Sequence, residues 1–146
     1  MDIRALTPAF AVSPQITPED IPAIAAAGFR TILCNRPDEE IPPPMHAEAV
    51  RAAAETAGIA FVCVPLASRD MTPADVRANR DAIAGAEGPV LAYCASGTRS
   101  TVAWMFGNAG SQPADELVAA AERAGYPLGN LRDQLDHIGA LVRKAS

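Results

Sequence analysis

The chain has 146 residues, which is enough for one domain built around one hydrophobic core. Hydrophobic residues make up 49% of it and charged residues 20%, a composition typical of globular rather than disordered proteins. The net charge of −5 argues against an extended nucleic-acid surface, although one positive site on an acidic protein can still take an anionic substrate.

Strand and helix signals alternate from the beginning of the chain. An apolar run predicts a strand over Phe10–Ser13. The Thr-Pro-Glu-Asp phrase at residues 17–20 then opens a helix, with an N-cap threonine and a proline at the first helical position, and this helix ends at Gly28. A second strand is predicted over Thr31–Cys34, and the proline-rich segment 35–44 after it is a loop.

The alternation continues in the middle of the chain. Residues 46–57 form an alanine-rich helix, and residues 59–64 form a strand of β-branched and aromatic residues. A second Thr-Pro-x-Asp phrase at residues 72–75 begins a helix that reaches about residue 86. After a turn, Val90–Tyr93 is predicted as a buried strand with Cys94 at its carboxyl end.

Only helices are predicted after this strand, over residues 100–106, 113–124 and 129–144. This order of elements predicts a single α/β domain over residues 1–146, with a mostly parallel central sheet of four to five strands flanked by helices. Crossover connections between the parallel strands should be right-handed.

Targeting and cofactor signals are absent from the sequence. The first ten residues contain Asp2 and Arg4 and no long apolar core, so we expect neither a secretory leader nor a membrane partner. We accordingly expect a cytoplasmic protein. Its three cysteines lack CxxC spacing and predict neither a disulfide framework nor a metal site. No cofactor is expected.

The segment 94–100, Cys-Ala-Ser-Gly-Thr-Arg-Ser, carries the candidate chemistry. It follows a strand at the edge where open α/β sheets place their sites, and its backbone N–H groups can turn inward around an anion. The planar cation of Arg99 suits an oxyanion and favours the thiolate of Cys94, a nucleophile. The alternative is a buried structural cysteine beside an ordinary turn. The predicted anion-binding loop comprises Ala95, Ser96, Gly97, Thr98 and Ser100, the last of which can bond the sulfur or steady the loop.

Four sequence segments, at residues 13–20, 27–29, 35–38 and 93–100, resemble the corresponding segments of a known family. It is the phosphatase-like domain family of β-lactamase hydrolase-like proteins (DUF442), within the superfamily of cysteine-dependent tyrosine and dual-specificity phosphatases. The resemblance covers roughly residues 1–110. It implies a dual-specificity-phosphatase-like fold, with the loop between the last parallel strand and its helix.

The loop departs from the superfamily pattern in its length. Four residues separate Cys94 from Arg99, whereas five do so in the phosphatases, and Tyr93 replaces the usual histidine. The shorter spacing is similar to that of rhodanese-type sulfurtransferases. A narrower ring of N–H donors would exclude phosphate and stabilise a persulfide, so we expect a sulfurtransferase that works through a Cys94 persulfide.

Two alternatives to sulfur transfer remain. The first is a phosphatase with a phosphocysteine intermediate, and the second is a non-catalytic module that binds an anion or a partner protein. The expected substrate is accordingly a small anionic or sulfur-bearing compound: thiosulfate, a persulfide or a phosphomonoester. Fused relatives of the family imply a persulfide-oxidising partner enzyme.

The resemblance also implies supporting residues. A phosphatase needs a general acid on the loop after the strand that precedes the site strand, where Asp70 falls; the alternative is a solvated loop aspartate. Asn35 and Arg36 are candidate pocket residues, although an Arg36–Asp38 pair could simply hold their loop. Cys34 is a resolving thiol if it lies near Cys94, and otherwise a small buried residue.

Overall fold

A computed structural model of the chain describes residues 1–145. A five-stranded sheet runs through its centre in the order β1-β2-β5-β3-β4. All pairs are parallel except β1–β2, which is antiparallel. The predicted α/β fold with a mostly parallel sheet flanked by helices is therefore confirmed. The strands are Arg4–Thr7 (β1), Phe10–Ser13 (β2), Thr31–Cys34 (β3), Ala60–Cys63 (β4) and Val90–Tyr93 (β5).

Six α-helices surround the sheet: Ile21–Ala26 (α1), Ala47–Thr56 (α2), Pro73–Ala84 (α3), Thr98–Asn108 (α4), Ala114–Arg123 (α5) and Arg132–Ala145 (α6). The start signal at residues 17–20 forms a short 3-10 turn, Pro18–Asp20, before α1 begins. Strand β1 was not predicted, because only Leu6 of its four residues is buried and the segment has no apolar run. No helix among residues 1–145 is long and apolar enough to cross a membrane.

The two faces of the sheet bury separate layers of side chains. Val12, Leu33 and Ala92 point toward a layer formed with α3, α4, α5 and α6. Their neighbours in sequence, such as Ile32 and Leu91, point toward α1 and α2. This division follows from the alternation of side chains along each strand, and it explains why β2, β3 and β5 are buried throughout and largely apolar.

The carboxyl ends of the four parallel strands meet at one edge of the sheet. Ser13 of β2 and Cys34 of β3 both pair with Tyr93 of β5, and Cys34 also pairs with Cys63 of β4. The loops after these strands therefore gather around the end of β5, and Cys94 is the first residue beyond that strand.

Candidate active site at the carboxyl edge of the sheet

The loop after β5 folds its backbone over the sulfur of Cys94. The Gly97 N–H donates to Cys94 Sγ at 3.1 Å. Gly97 has a φ of 94°, in the left-handed region that glycine tolerates best, and it forms the N-cap of α4. The start of this helix presents N–H groups without helical partners to the loop. Cys94 itself is fully buried, so the sulfur lies beneath the loop surface.

Tyr126, which follows α5, supports the loop from behind. Its hydroxyl donates to the Ser96 carbonyl at 3.0 Å. A Cβ on Gly97 would lie 2.0 Å from the same Tyr126 oxygen, so only glycine fits there. Tyr126 was not predicted as a site residue, because it is 30 residues from Ser96 and no local pattern connects them.

Arg99 extends along the loop and is held by a carboxylate. Its two terminal nitrogens donate to the two Glu40 oxygens at 2.8 Å each, and Nη1 also donates to the Leu66 carbonyl at 2.7 Å. Glu40 raises the pKa of Arg99, and the nearby Cys94 sulfur acts in the same direction with a smaller effect. In turn, Arg99 lowers the pKa of Glu40. Glu40 was not predicted as a site residue, because it is one of three acidic residues in the turn Asp38–Glu40 and no local pattern distinguishes it.

Arg36 supports Glu40 from the other side. Its Nε donates to Glu40 Oε1 at 3.1 Å and its Nη1 to Gln15 Oε1 at 3.3 Å. The alternative pairing of Arg36 with Asp38 is wrong, because Asp38 instead accepts the Ala47 N–H at 2.8 Å and so caps α2. Two arginines therefore share the Glu40 carboxylate.

Asn35 anchors the loop through a buried polar network. Ser100 Oγ donates to Asn35 Oδ1 at 2.8 Å, which places the Ser100 hydroxyl in the supporting network. The Asn35 amide donates to the Val64 carbonyl at 2.9 Å and to Asn79 Oδ1 at 2.8 Å. Asn35, Asn79 and Ser100 are buried, so these bonds fix the distance between β3, α3 and α4. Asn79, the only buried residue of α3, was not predicted as a site residue.

An open cleft of about 380 Å³ lies above this loop. Six of its eight lining residues are polar or charged, and the lining comprises Glu40, Ala67, Ser68, Arg69, Ala95, Ser96, Thr98 and Arg99. The structure thus brings the predicted loop residues and the segment after β4 to one place. It does not bring Asp70 there: Asp70 is exposed and lines a neighbouring hollow with Met71 and Gln134.

Cys34 lies apart from this arrangement. Its thiol contacts Cys63 and Tyr93, and it donates to the Arg36 carbonyl at 3.5 Å. These contacts are on the face of the sheet that packs against α1 and α2. Among the contacts described for Cys34 there is none with Cys94, so the structure gives no support to the prediction that Cys34 is a resolving thiol for Cys94.

Comparisons with known proteins agree with the geometry. A family model described as the phosphatase-like domain of the β-lactamase hydrolase-like protein matches residues 2–111. A β-lactamase hydrolase-like protein of Xylella fastidiosa (strain Temecula1) is 35% identical over 131 residues, which cover 88% of this chain. The chain spans about 30% of the length of that relative.

Solved structures share the fold. A structure from Neisseria meningitidis z2491, described provisionally as a phosphatase, is 39% identical, with a TM-score of 0.83 over 94% of this chain and 99% of that one. The core catalytic domain of a PP-IP phosphatase from S. cerevisiae, in complex with citrate, has a TM-score of 0.67 at 14% identity, over 99% of this chain and 93% of that one. At that identity the likeness concerns the fold alone.

Proposed function

Because the chain belongs to the family of the phosphatase-like domain of β-lactamase hydrolase-like proteins, we propose that it hydrolyses phosphoric monoesters with Cys94 as the nucleophile. One observation carries this proposal: the Gly97 N–H points at Cys94 Sγ while the Arg99 guanidinium lies at the rim of the same loop. A backbone N–H beside the nucleophile, with a planar cation at the rim of its loop, is complementary to a phosphoryl group. The citrate bound by the S. cerevisiae neighbour supports a small anionic substrate.

The reaction has two covalent steps. Cys94 Sγ attacks phosphorus, the bond to the leaving oxygen breaks, and that oxygen takes a proton from a general acid. Water then attacks the phosphocysteine, the P–S bond breaks, and inorganic phosphate leaves. The loop N–H groups and Arg99 stabilise the charge on the phosphoryl oxygens in both steps. Asp70 is the proposed acid, and this role requires its side chain to turn from the neighbouring hollow toward the cleft.

The resting arrangement is closed in two respects. Cys94 is fully buried, and the Glu40 carboxylate occupies the fork of Arg99. Carboxylate and phosphate oxygens both accept bidentate bonds from guanidinium, so substrate competes with Glu40 for the same donors. We therefore propose that binding displaces Glu40 from Arg99, which leaves Arg36 to hold the released carboxylate.

The earlier expectation of sulfur transfer is not supported by the comparisons, and the phosphatase alternative fits them better. The four-residue spacing and the buried sulfur are the features that would favour persulfide chemistry. Both reactions form a covalent adduct on the same cysteine, so the mass of the adduct distinguishes them.

The decisive experiment offers both substrates to the full chain. We expect hydrolysis of p-nitrophenyl phosphate, a trapped adduct on Cys94 with the mass of one phosphoryl group, and loss of both in Cys94→Ser. Cys63→Ser is the matched control, since it removes a thiol outside the cleft and should retain activity. An added sulfur atom after incubation with thiosulfate, together with cyanide-dependent thiocyanate release and no phosphate release, would overturn the proposal.

The general acid is tested separately through the leaving group. The p-nitrophenolate anion is a stable leaving group that needs little protonation, whereas an alkoxide leaves only when it receives a proton. Asp70→Asn should therefore slow an alkyl phosphate by ~100-fold or more and p-nitrophenyl phosphate much less. Equal rates for the variant and the wild type with both substrates would remove Asp70 from the mechanism and leave the Cys94 chemistry unaffected.

A further inference from the structure

Two further thiols lie side by side away from the cleft. Cys34 in β3 and Cys63 in β4 are direct partners in the parallel register, and their side chains contact each other. Neighbouring strands are about 4.8 Å apart, and disulfides join residues whose Cα atoms are roughly 4.4–6.8 Å apart. The backbone therefore already holds the two residues at a separation that a disulfide spans.

The two thiols differ in their tendency to ionise. A hydrogen bond from Cys63 and a smaller contribution from Tyr93 lower the pKa of Cys34 to about 7, although burial and the Asp38 carboxylate oppose this. The same contact with Cys34, with burial, raises the pKa of Cys63, although Arg51 opposes this weakly. Ionisation of the pair therefore occurs first at Cys34 and leaves Cys63 as the thiol, and a thiolate beside a thiol is the combination that thiol oxidation and resolution require.

The hydroxyl of Tyr93 is a third polar group beside the two thiols. Tyr93 lies in β5, pairs with Cys34 in the register, and is fully buried. Within residues 1–145 its hydroxyl has no hydrogen-bond partner. A buried hydroxyl without an acceptor is costly, and a negatively charged Cys34 sulfur would supply that acceptor.

Access comes from the edge of the sheet. β4 is the last strand in the order β1-β2-β5-β3-β4, and Cys63 is partly exposed, whereas Cys34 is buried behind it. Cys63 is therefore the side from which an oxidant approaches the pair.

We propose that Cys34 and Cys63 form a reversible intramolecular disulfide when the protein meets a hydroperoxide. The Cys34 thiolate attacks the outer peroxide oxygen, the O–O bond breaks, and the remaining alkoxide or hydroxide leaves with a proton. Sulfur is oxidised to a sulfenic acid and the peroxide is reduced to an alcohol or water. Cys63 then attacks the Cys34 sulfur, the S–S bond forms, and the sulfenic oxygen leaves as water with the Cys63 proton.

The arginine positions make the test direct. Trypsin places Cys34 in peptide 31–51, Cys63 in peptide 52–69 and Cys94 in peptide 81–99. The full chain, as wild type and as Cys94→Ser, is treated with hydrogen peroxide, alkylated with iodoacetamide, and digested without reductant. Wild type and Cys94→Ser should both yield peptides 31–51 and 52–69 joined by a disulfide that dithiothreitol removes, in a fraction independent of protein concentration.

The same digest contains the refuting result. Recovery of both peptides fully alkylated, or Cys34 joined to Cys94 or to a second chain, would overturn the proposal. Cys63→Ser should leave Cys34 as a sulfenic acid that dimedone traps, and Cys34→Ser should leave Cys63 alkylatable. Because Cys94→Ser lacks the proposed nucleophile, a disulfide in that variant is independent of whether the chain is a phosphatase.

Discussion

Gly97→Ala tests the closest packing in the site. Gly97 has a φ of 94°, and an added methyl group would lie 2.0 Å from Tyr126 Oη and 2.9 Å from its ring carbon. The substitution therefore forces either the loop or the tyrosine to move. Either movement disturbs the hydrogen bonds that Gly97 N–H donates to Cys94 and Tyr126 donates to Ser96.

Two contributions set the expected magnitude. Placing a residue with a Cβ in the left-handed region costs about 1–2 kcal/mol. Inserting a methyl group into a filled space costs about 1–3 kcal/mol more. We therefore expect Gly97→Ala to lower the free energy of unfolding by about 2–5 kcal/mol.

Gly28→Ala is the matched control. Gly28 has a similar φ of 97°, but an added Cβ there has no atom within 4 Å. Its replacement should cost only the conformational part, about 1–2 kcal/mol, and the offset of about 0.4–1 kcal/mol from the less flexible unfolded chain applies equally to both variants. The difference between the two variants isolates the collision with Tyr126.

Urea unfolding measures both variants, and the alkylation rate of Cys94 reports the loop itself. The double variant Gly97→Ala/Tyr126→Phe should recover part of the lost stability, since it removes the oxygen at 2.0 Å and leaves the ring carbon at 2.9 Å. If Gly97→Ala cost no more than Gly28→Ala and left the alkylation rate unchanged, the close packing of Tyr126 against this loop would be refuted.

Two further variants test the network around the loop. Glu40→Gln removes the bidentate acceptor of Arg99, so it should lower the free energy of unfolding by about 1 kcal/mol at neutral pH. Because Arg99 lowers the pKa of Glu40 in the folded chain, the stability difference from wild type should persist above the unfolded carboxyl pKa near ~4.3 and disappear as pH falls through the folded value. Urea titrations between pH 3 and 7 measure this difference. Ser100→Ala leaves the buried Asn35 Oδ1 without its donor and should lower the free energy of unfolding by about 1–3 kcal/mol, whereas an unchanged urea midpoint would mean that water or Asn79 replaces that bond.

Local pattern was sufficient for most of the fold. Strands β2, β3 and β5 lie where short, largely apolar runs predict them, because a strand buried on both faces has mostly apolar side chains. The cap phrase Thr-Pro-Ala-Asp at residues 72–75 forms the predicted capping box before α3, since it depends on contacts within one turn. The antiparallel β1 escaped prediction because an edge strand with one buried side chain leaves no such pattern.

By itself the sequence determined the order of the elements and the position of Cys94 at the end of β5. Both follow from the local periodicity of hydrophobic residues and from Gly97, which ends the loop after Cys94. Only the tertiary structure decided that Glu40 holds Arg99, that Tyr126 supports the loop and that Cys63 lies beside Cys34. These partners are separated by between 29 and 59 residues along the chain. Such pairings depend on which strands become neighbours and on how the helices pack against them, and a single chain's local pattern contains no record of either.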